Sequence, residues 1–308
     1  MDDRTMKKFR ELILMANSID IVEPKNNVVV QYPEFALVTT DIINRDLPLQ
    51  KSDVIDIKFR KDKKPISIRG KTSEGVSTFT PEHFMYLEGI YRLYDKGFRE
   101  FSPSMIYRYS VGDQDASTTP ARLKRMERHI DELRTTLVYL EITDYAEAFK
   151  KHYEDADIER GIVIDNTLLH LERTRVFVQG VETTGYKILS KPVLFRLAEQ
   201  MEQLGQVEWE LLKEPKGTSV NDGLINNYLV KRIAAMRNTK NRMDGRKILL
   251  DTIYRHIGKE DATAKQKRTI REKATATLDK WEELEFIKGY SILVDPSSKR
   301  KRGFEIEL

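Results

Sequence analysis

Two textures divide the chain. Up to about residue 75 the apolar residues come in short runs, and from Thr80 onward they recur every three or four positions. The early part opens with an amphipathic piece carrying Phe9, Leu12 and Ile13. Short β-rich runs follow at Val28–Val30, Phe35–Val38, Val54–Ile57 and Ile66–Ile68, separated by Pro24, Pro33, Pro48 and Pro65. Thr80-Pro81-Glu82-His83 then reads as a helix start, a capping residue with proline at the first helical position. Phe84, Leu87, Ile90, Tyr91 and Tyr94 continue that helix and Gly97 closes it. Ser102-Pro103 opens a short helix through Met105, Ile106 and Tyr109. Thr119-Pro120 opens a long one, predicted to carry Leu123, Met126, Ile130, Leu133, Leu137 and Leu140 on one face. Strands are expected at Gly161–Leu171, Thr174–Val178 and Tyr186–Leu189, and a helix at Lys191–Leu204.

The same order then returns. After a strand expected at Val207–Leu212, Asn221 can cap a helix carrying Leu224, Ile225, Tyr228, Leu229, Ile233 and Met236. The next helix is read around Ile248, Leu249, Ile253 and Ile257. A third begins near Ala264, with Ile270, Ala274, Thr277, Leu278, Trp281 and Leu284 on one face. The chain closes on Phe286–Val294, a turn running from Pro296 to Gly303, and Phe304–Leu308, a hairpin with a basic tip. Leu140-Glu141-Ile142 and Leu284-Glu285-Phe286 both read as the end of a third helix. Helix, helix, long helix and β-wing is the order of a winged helix-turn-helix. The expected fold class is therefore α+β: two tandem winged-helix domains, at 76–205 and 206–308, behind a β-rich N-terminal extension, 1–75, to which no chemistry is assigned.

Composition narrows the function. The absence of cysteine excludes disulfides, thiolate metal sites and a cysteine nucleophile. No apolar run approaches the roughly 18 residues of a membrane span, so a cytoplasmic protein is expected. The net charge is only +4, but residues 231–308 hold 20 Lys and Arg against 12 Asp and Glu, a net of +8, leaving −4 for the rest. Such asymmetry points to a polyanion at the C-terminal end, because cations gain affinity by releasing counterions from phosphates. A solvated basic face is the plainer alternative.

The third helix of the second unit carries the better candidates for reading DNA. Lys265, Arg268, Thr269, Glu272, Thr275 and Ala276 lie off its apolar stripe, with Lys267 and Arg271 beside them. Arg suits guanine, Glu suits cytosine, and the methyls of Thr and Ala suit thymine. Lys299, Arg300, Lys301 and Arg302 crowd four cations onto the hairpin, where they suit phosphates. In the first unit Lys124, Arg125 and Arg128 stand among Asp131 and Glu132, a mixture suited to gripping a backbone or a protein. Enzyme signatures are weak. Gly70-Lys71-Thr72 resembles the end of a phosphate loop, but Pro65 stands where the first glycine belongs. Gly112-Asp113-Gln114-Asp115 lacks metal-loop spacing and reads as a turn. The histidines, His83, His129, His152, His170 and His256, form neither a His-x-His pair nor a zinc helix. His170-Leu171-Glu172-Arg173 has the form of a recombinase motif but falls in an expected strand. No metal, cofactor or catalytic residue is therefore assigned.

In element order, and in the stretches 221–238, 245–258 and 267–284 leading into the last hairpin, the chain resembles the tandem winged-helix replication initiators of iteron-containing plasmids and related mobile elements. The resemblance spans about residues 75–308, and the first 75 residues have no counterpart in it. It implies a sequence-specific double-stranded DNA-binding protein that recognises repeated origin elements and opens the origin without catalysis of its own. The second unit would read the repeat, and the first would grip phosphates or dimerise. It further implies a homodimer form that represses, and host replication proteins, a helicase among them, as partners. A winged-helix transcriptional regulator would carry the same pattern, and a DNA nickase or recombinase is the enzymatic alternative.

Overall fold

The structure, a computed structural model, describes residues 27–31, 54–57, 66–72, 80–142, 162–178, 181–200, 203–213, 219–237 and 246–308. The pieces expected around Phe9 and at Phe35–Val38 lie outside the described residues. Strands β1 (Val28–Gln31), β2 (Val54–Ile57) and β3 (Ile66–Thr72) precede helix α1 (Pro81–Asp95). The His83 ring accepts the Thr80 backbone N–H at 2.9 Å and satisfies one orphan donor at the start of α1. After β4 (Glu100–Phe101), helix α2 (Pro103–Val111) starts on Ser102, whose hydroxyl accepts the Met105 N–H. It ends on Gly112 at φ 71°.

Gly112 is also pinned from outside. A Cβ there would stand 2.3 Å from the Leu212 Cβ and 2.9 Å from the Leu212 carbonyl carbon. Gly112→Ala is expected to cost about 2–4 kcal/mol, adding a left-handed backbone to an overpacked contact. Urea unfolding should show a lower midpoint at unchanged slope.

Helix α3 (Pro120–Thr135) is shorter than its apolar period suggests, and Leu137 and Leu140 belong instead to strand β5 (Leu137–Ile142). The hydroxyls of Thr135 and Thr136 bond back to the carbonyls of Asp131 and Glu132, at 2.8 and 2.7 Å, which occupies the last turn. Leu-Val-Tyr-Leu-Glu-Ile is then a β-favouring run. Leu140-Glu141-Ile142 thus forms the second half of β5, and its match to Leu284-Glu285-Phe286 does not mark equivalent places. The strand expected at Gly161–Leu171 is broken: β6 (Ile162–Thr167) and β7 (Leu171–Val178) flank Leu168 and Leu169, both fully buried, and β8 (Val181–Ile188) returns from β7.

Helix α4 (Val193–Gln200) stops short of Leu204, which begins strand β9 (Leu204–Val207). The residues read as a strand at 207–212 mostly form helix α5 (Trp209–Lys213), which buries Trp209, Leu211 and Leu212. Helix α6 (Val220–Arg237) is capped by Ser219 rather than Asn221, through reciprocal bonds between Ser219 and Asp222 at 3.0 and 3.3 Å. Ile248 and Leu249 lie in strand β10 (Lys247–Leu249), ahead of helix α7 (Leu250–His256). Helix α8 (Ala264–Glu283), β11 (Gly289–Val294) and β12 (Lys301–Glu307) complete the chain.

All strand pairings are antiparallel, and the sheets run β1-β9, β2-β3-β5-β6, β4-β8-β7 and β10-β12-β11. The strands before residue 75 are thus built into sheets with later chain, β1 with β9 and β3 with β5. From Pro81 one order occurs twice. It is α1, β4, α2, α3, β7, β8 with β5 and β6 inserted, and then α6, β10, α7, α8, β11, β12. In both copies the third strand sits between the first and second.

The leading helices of the two copies meet across a buried polar seam. Arg92 and Glu88 of α1 face Asn227 and Lys231 of α6, and Lys231 pairs with Glu88 while 2% exposed. The Arg92 guanidinium donates to the carbonyls of Tyr109 and Ser110, at 2.7 and 3.2 Å, and to the Asn227 side chain. Burial pushes the Lys231 ammonium down towards neutrality, and its ion pair with Glu88 favours the charged form. Burial, followed by that nearby ammonium, pushes His256 down to about 3, so its ring is neutral against Tyr228.

Candidate nucleic-acid interface

Helix α8 buries Ile270, Ala274, Thr277, Leu278 and Trp281, the stripe expected from its period. Thr263 caps it in a reciprocal pair with Gln266. Lys265, Arg268, Thr269, Glu272 and Ala276 are exposed, while Lys267, Arg271 and Thr275 are half-buried. The candidates are not equally available. Lys267 sits over the Tyr254 ring, 5.3 Å from its centroid, and the Thr269 hydroxyl donates to the Lys265 carbonyl at 3.2 Å. Arg268 is 72% exposed and donates through Nε to the Glu272 carboxylate at 2.8 Å. That bond orients the guanidinium and leaves both terminal nitrogens outward, the fork that suits the two acceptors of guanine. Glu272, expected to accept from cytosine, is exposed and engages Arg268 through one of its two oxygens.

The basic hairpin is closed by a hydrogen-bonded turn. The Asp295 carboxylate accepts from the backbone N–H groups of Ser297 and Ser298, at 3.1 and 2.7 Å. It also accepts from their hydroxyls, at 2.7 and 3.0 Å. These donors hold it well below the usual carboxylate range. The Asp295 N–H donates to the Arg300 carbonyl and the Lys299 N–H to the Asp295 carbonyl, closing the turn with Lys299 at φ 57°. Leu293 opposes Gly303 and Val294 opposes Lys301, so Arg302 is the extra residue of a β-bulge. A bulge re-aims the side chain it carries. Lys299, Arg300, Lys301 and Arg302 are all exposed. Asp295→Ala should release the turn: faster amide exchange at Ser297 and Ser298 with an unchanged far-ultraviolet spectrum.

The corresponding helix of the first copy is organised differently. Its acids are committed inward: Arg173 of β7 spans Glu127 and Asp131, and Glu132 meets His83. Lys124, Arg125 and Arg128 are all exposed, and of these Arg125 pairs with Glu82 at 3.1 Å. The motifs set aside in the sequence fall in or beside strands and in a turn. Gly70-Lys71-Thr72 lies within β3, and Asp113 accepts the Asp115 N–H in a tight turn. His170 meets Ser190 at 3.1 Å while Arg173 is engaged by carboxylates.

Among the described residues, no helix is long and apolar enough to cross a membrane. No known family profile matches the chain, and no curated protein is similar to it. Two solved structures of domains 2 and 3 of RctB are similar to it in part, at 13% sequence identity. They align over 87% of this chain and 96% of theirs, with TM-scores of 0.43 and 0.42.

Proposed function

We propose that the two repeated units are winged-helix domains and that the chain is a sequence-specific double-stranded DNA-binding protein acting as a replication initiator. The observation that carries the DNA reading is the doubled helix, strand, helix, helix, hairpin order with one shared strand order. Its second copy exposes a supported Arg268 on α8 and a hydrogen-bonded basic turn on the hairpin that follows. The Tyr290 hydroxyl donates to Asp279 at 2.5 Å and ties that hairpin to α8, so helix and wing would meet DNA as one body. In this reading α8 enters the major groove and Lys299–Arg302 hold phosphates. Lys124 and Arg128 of α3 add a weaker, sequence-blind grip. The initiator role rests on the tandem arrangement: copies bound to adjacent repeats would strain neighbouring DNA, several kcal/mol per site being offset by the contacts of many protomers. Host helicase and polymerase would then supply the chemistry.

The test is selection of duplexes from a random-sequence pool by the full-length protein, followed by location of the enriched motif near its own coding region. Tandem copies of one motif are expected. A single inverted motif over a promoter would replace the initiator by a regulator, and no enrichment would end the sequence-specific reading.

A further inference from the structure

His83, His129 and Glu132 come together from opposite ends of the first repeated unit, and nothing in their sequence spacing announces it. His83 lies in the first turn of α1 and is 2% exposed; His129 lies in the middle of α3 and is 6% exposed. Glu132 follows His129 by three residues, which places both on one face of α3. One ligand atom from each of the three lies within 4.8 Å of the others.

Hydrogen bonding accounts for most of this arrangement but leaves one atom over. His83 accepts the Thr80 N–H through Nδ1, so Nε2 is the nitrogen that meets Glu132, at 2.6 Å. The two imidazoles stack with centroids 4.0 Å apart. The Nδ1 atom of His129 is buried without a hydrogen-bond partner, on a side chain 8% exposed. A second carboxylate, Glu82, stands 4.0 Å from it, beyond hydrogen-bond reach. Glu82 Oε2 is itself held by Arg125 at 3.1 Å, so the open position is the buried imidazole nitrogen, a place that a cation would fill.

We propose that His83, His129 and Glu132, with Glu82 released from Arg125 as the fourth donor, form a binding site for a divalent transition-metal ion of the zinc class. Two imidazoles with carboxylates suit zinc and its first-row neighbours and do not suit magnesium, which takes oxygen donors and keeps its water. Donors about 2.1 Å from a tetrahedral ion lie roughly 3.4 Å apart, so His83, His129 and Glu132 close by shifts of about an ångström once the stacked rings turn toward a shared ion. The carboxylates can supply these, since Glu132 and Glu82 are 32% and 21% exposed and border solvent. On binding, the ion takes the place of the proton on His83 Nε2, which moves to Nδ1; the ring stays neutral, and Nδ1 then donates to the Thr80 hydroxyl, 2.9 Å away, instead of accepting the Thr80 N–H. The ion would bolt α3 to the start of α1 and fix the helix that carries Lys124 and Arg128. The site belongs to the first repeated unit and α8 to the second, so base reading by α8 stays independent of metal, while the chain as a whole gains a ligand its sequence did not suggest.

The experiment needs no DNA and so stands or falls apart from the proposed function. Full-length protein stripped by a chelator is given Zn²⁺ alone, with Mg²⁺ as comparator, then desalted, assayed for bound metal and melted. Co²⁺ replaces Zn²⁺ in a second series read by visible absorption. One zinc retained per chain, a melting point raised by zinc and not by magnesium, and an intense four-coordinate cobalt band are expected. Glu132→Gln, a conservative change at a partly exposed position, and His129→Gln should each weaken zinc at least tenfold and remove the cobalt band. Should His129→Gln fail to fold, Glu132→Gln alone decides. No retained zinc in the wild type, or equal retention in Glu132→Gln, overturns the assignment.

Discussion

Lys231→Met should destabilise the protein by about 3 kcal/mol, and Glu88→Met/Lys231→Met together should recover part of that loss. The single change strands the Glu88 carboxylate beside a 2% exposed position, and breaking a buried pair from one side typically costs about 3–5 kcal/mol. The low end applies because Arg92 remains 3.6 Å from Glu88. The double change removes both charges but takes the counter-charge away from buried Arg92, 3.6 Å from Glu88, so the recovery is partial. Because Glu88 lies on α1 and Lys231 on α6, the seam couples the two repeated units, and urea denaturation should stay a single transition in the wild type. Two separated transitions in Lys231→Met would show the seam to be what makes them unfold together. Equal loss in the single and double variants would show that packing, not charge pairing, governs the seam.

The second large effect belongs to the basic turn. Replacing Lys299, Arg300, Lys301 and Arg302 together by Gln should lower DNA affinity on the order of 10²–10³-fold near physiological salt. It should flatten the slope of log affinity against log salt by about 3.6, as expected for up to four lost phosphate contacts. Stability should be unchanged, since all four side chains are exposed. A slope flattened by less than one would mean that the turn does not track the DNA backbone.

The helix starts were legible in the sequence because they are local. Thr80-Pro81, Ser102-Pro103 and Thr119-Pro120 each begin a helix at the expected residue, and the α8 stripe from Ile270 to Trp281 is buried as its period requires. Helix ends were harder. Leu137 and Leu140 continue the period of α3 by coincidence while their β-branched and aromatic neighbours draw the chain into a sheet. Trp209, Leu211 and Leu212 show the reverse error, because a short apolar run fits either a strand or a buried helix turn. Pairings far apart in sequence, β1 with β9 and β3 with β5, left no local sign.

At the candidate interface the residue types were legible but their engagements were not. Arg268 and the cations of the basic turn stand exposed as expected, yet the roles of Glu272 as a support and Asp295 as the organiser of the turn depend on side-chain geometry. An i, i+4 Arg and Glu pair was the available signal for the first. Asp295 ahead of Pro296-Ser297-Ser298 was the signal for the second, since Asp side chains accept from the backbone two and three residues on.

The central claim is that α8 reads sequence while the basic turn holds phosphates, and one comparison tests it directly. Affinities of Arg268→Ala and Lys301→Ala are measured against salt on the selected duplex and on a scrambled one. Arg268→Ala should cost roughly 1–3 kcal/mol on the selected duplex and little on the scrambled one, collapsing the ratio between them. Lys301→Ala should weaken both duplexes about equally and reduce the salt slope by roughly one counterion. If Arg268→Ala weakens both duplexes equally, α8 is not reading bases, and the account of the second unit as the specificity module is wrong.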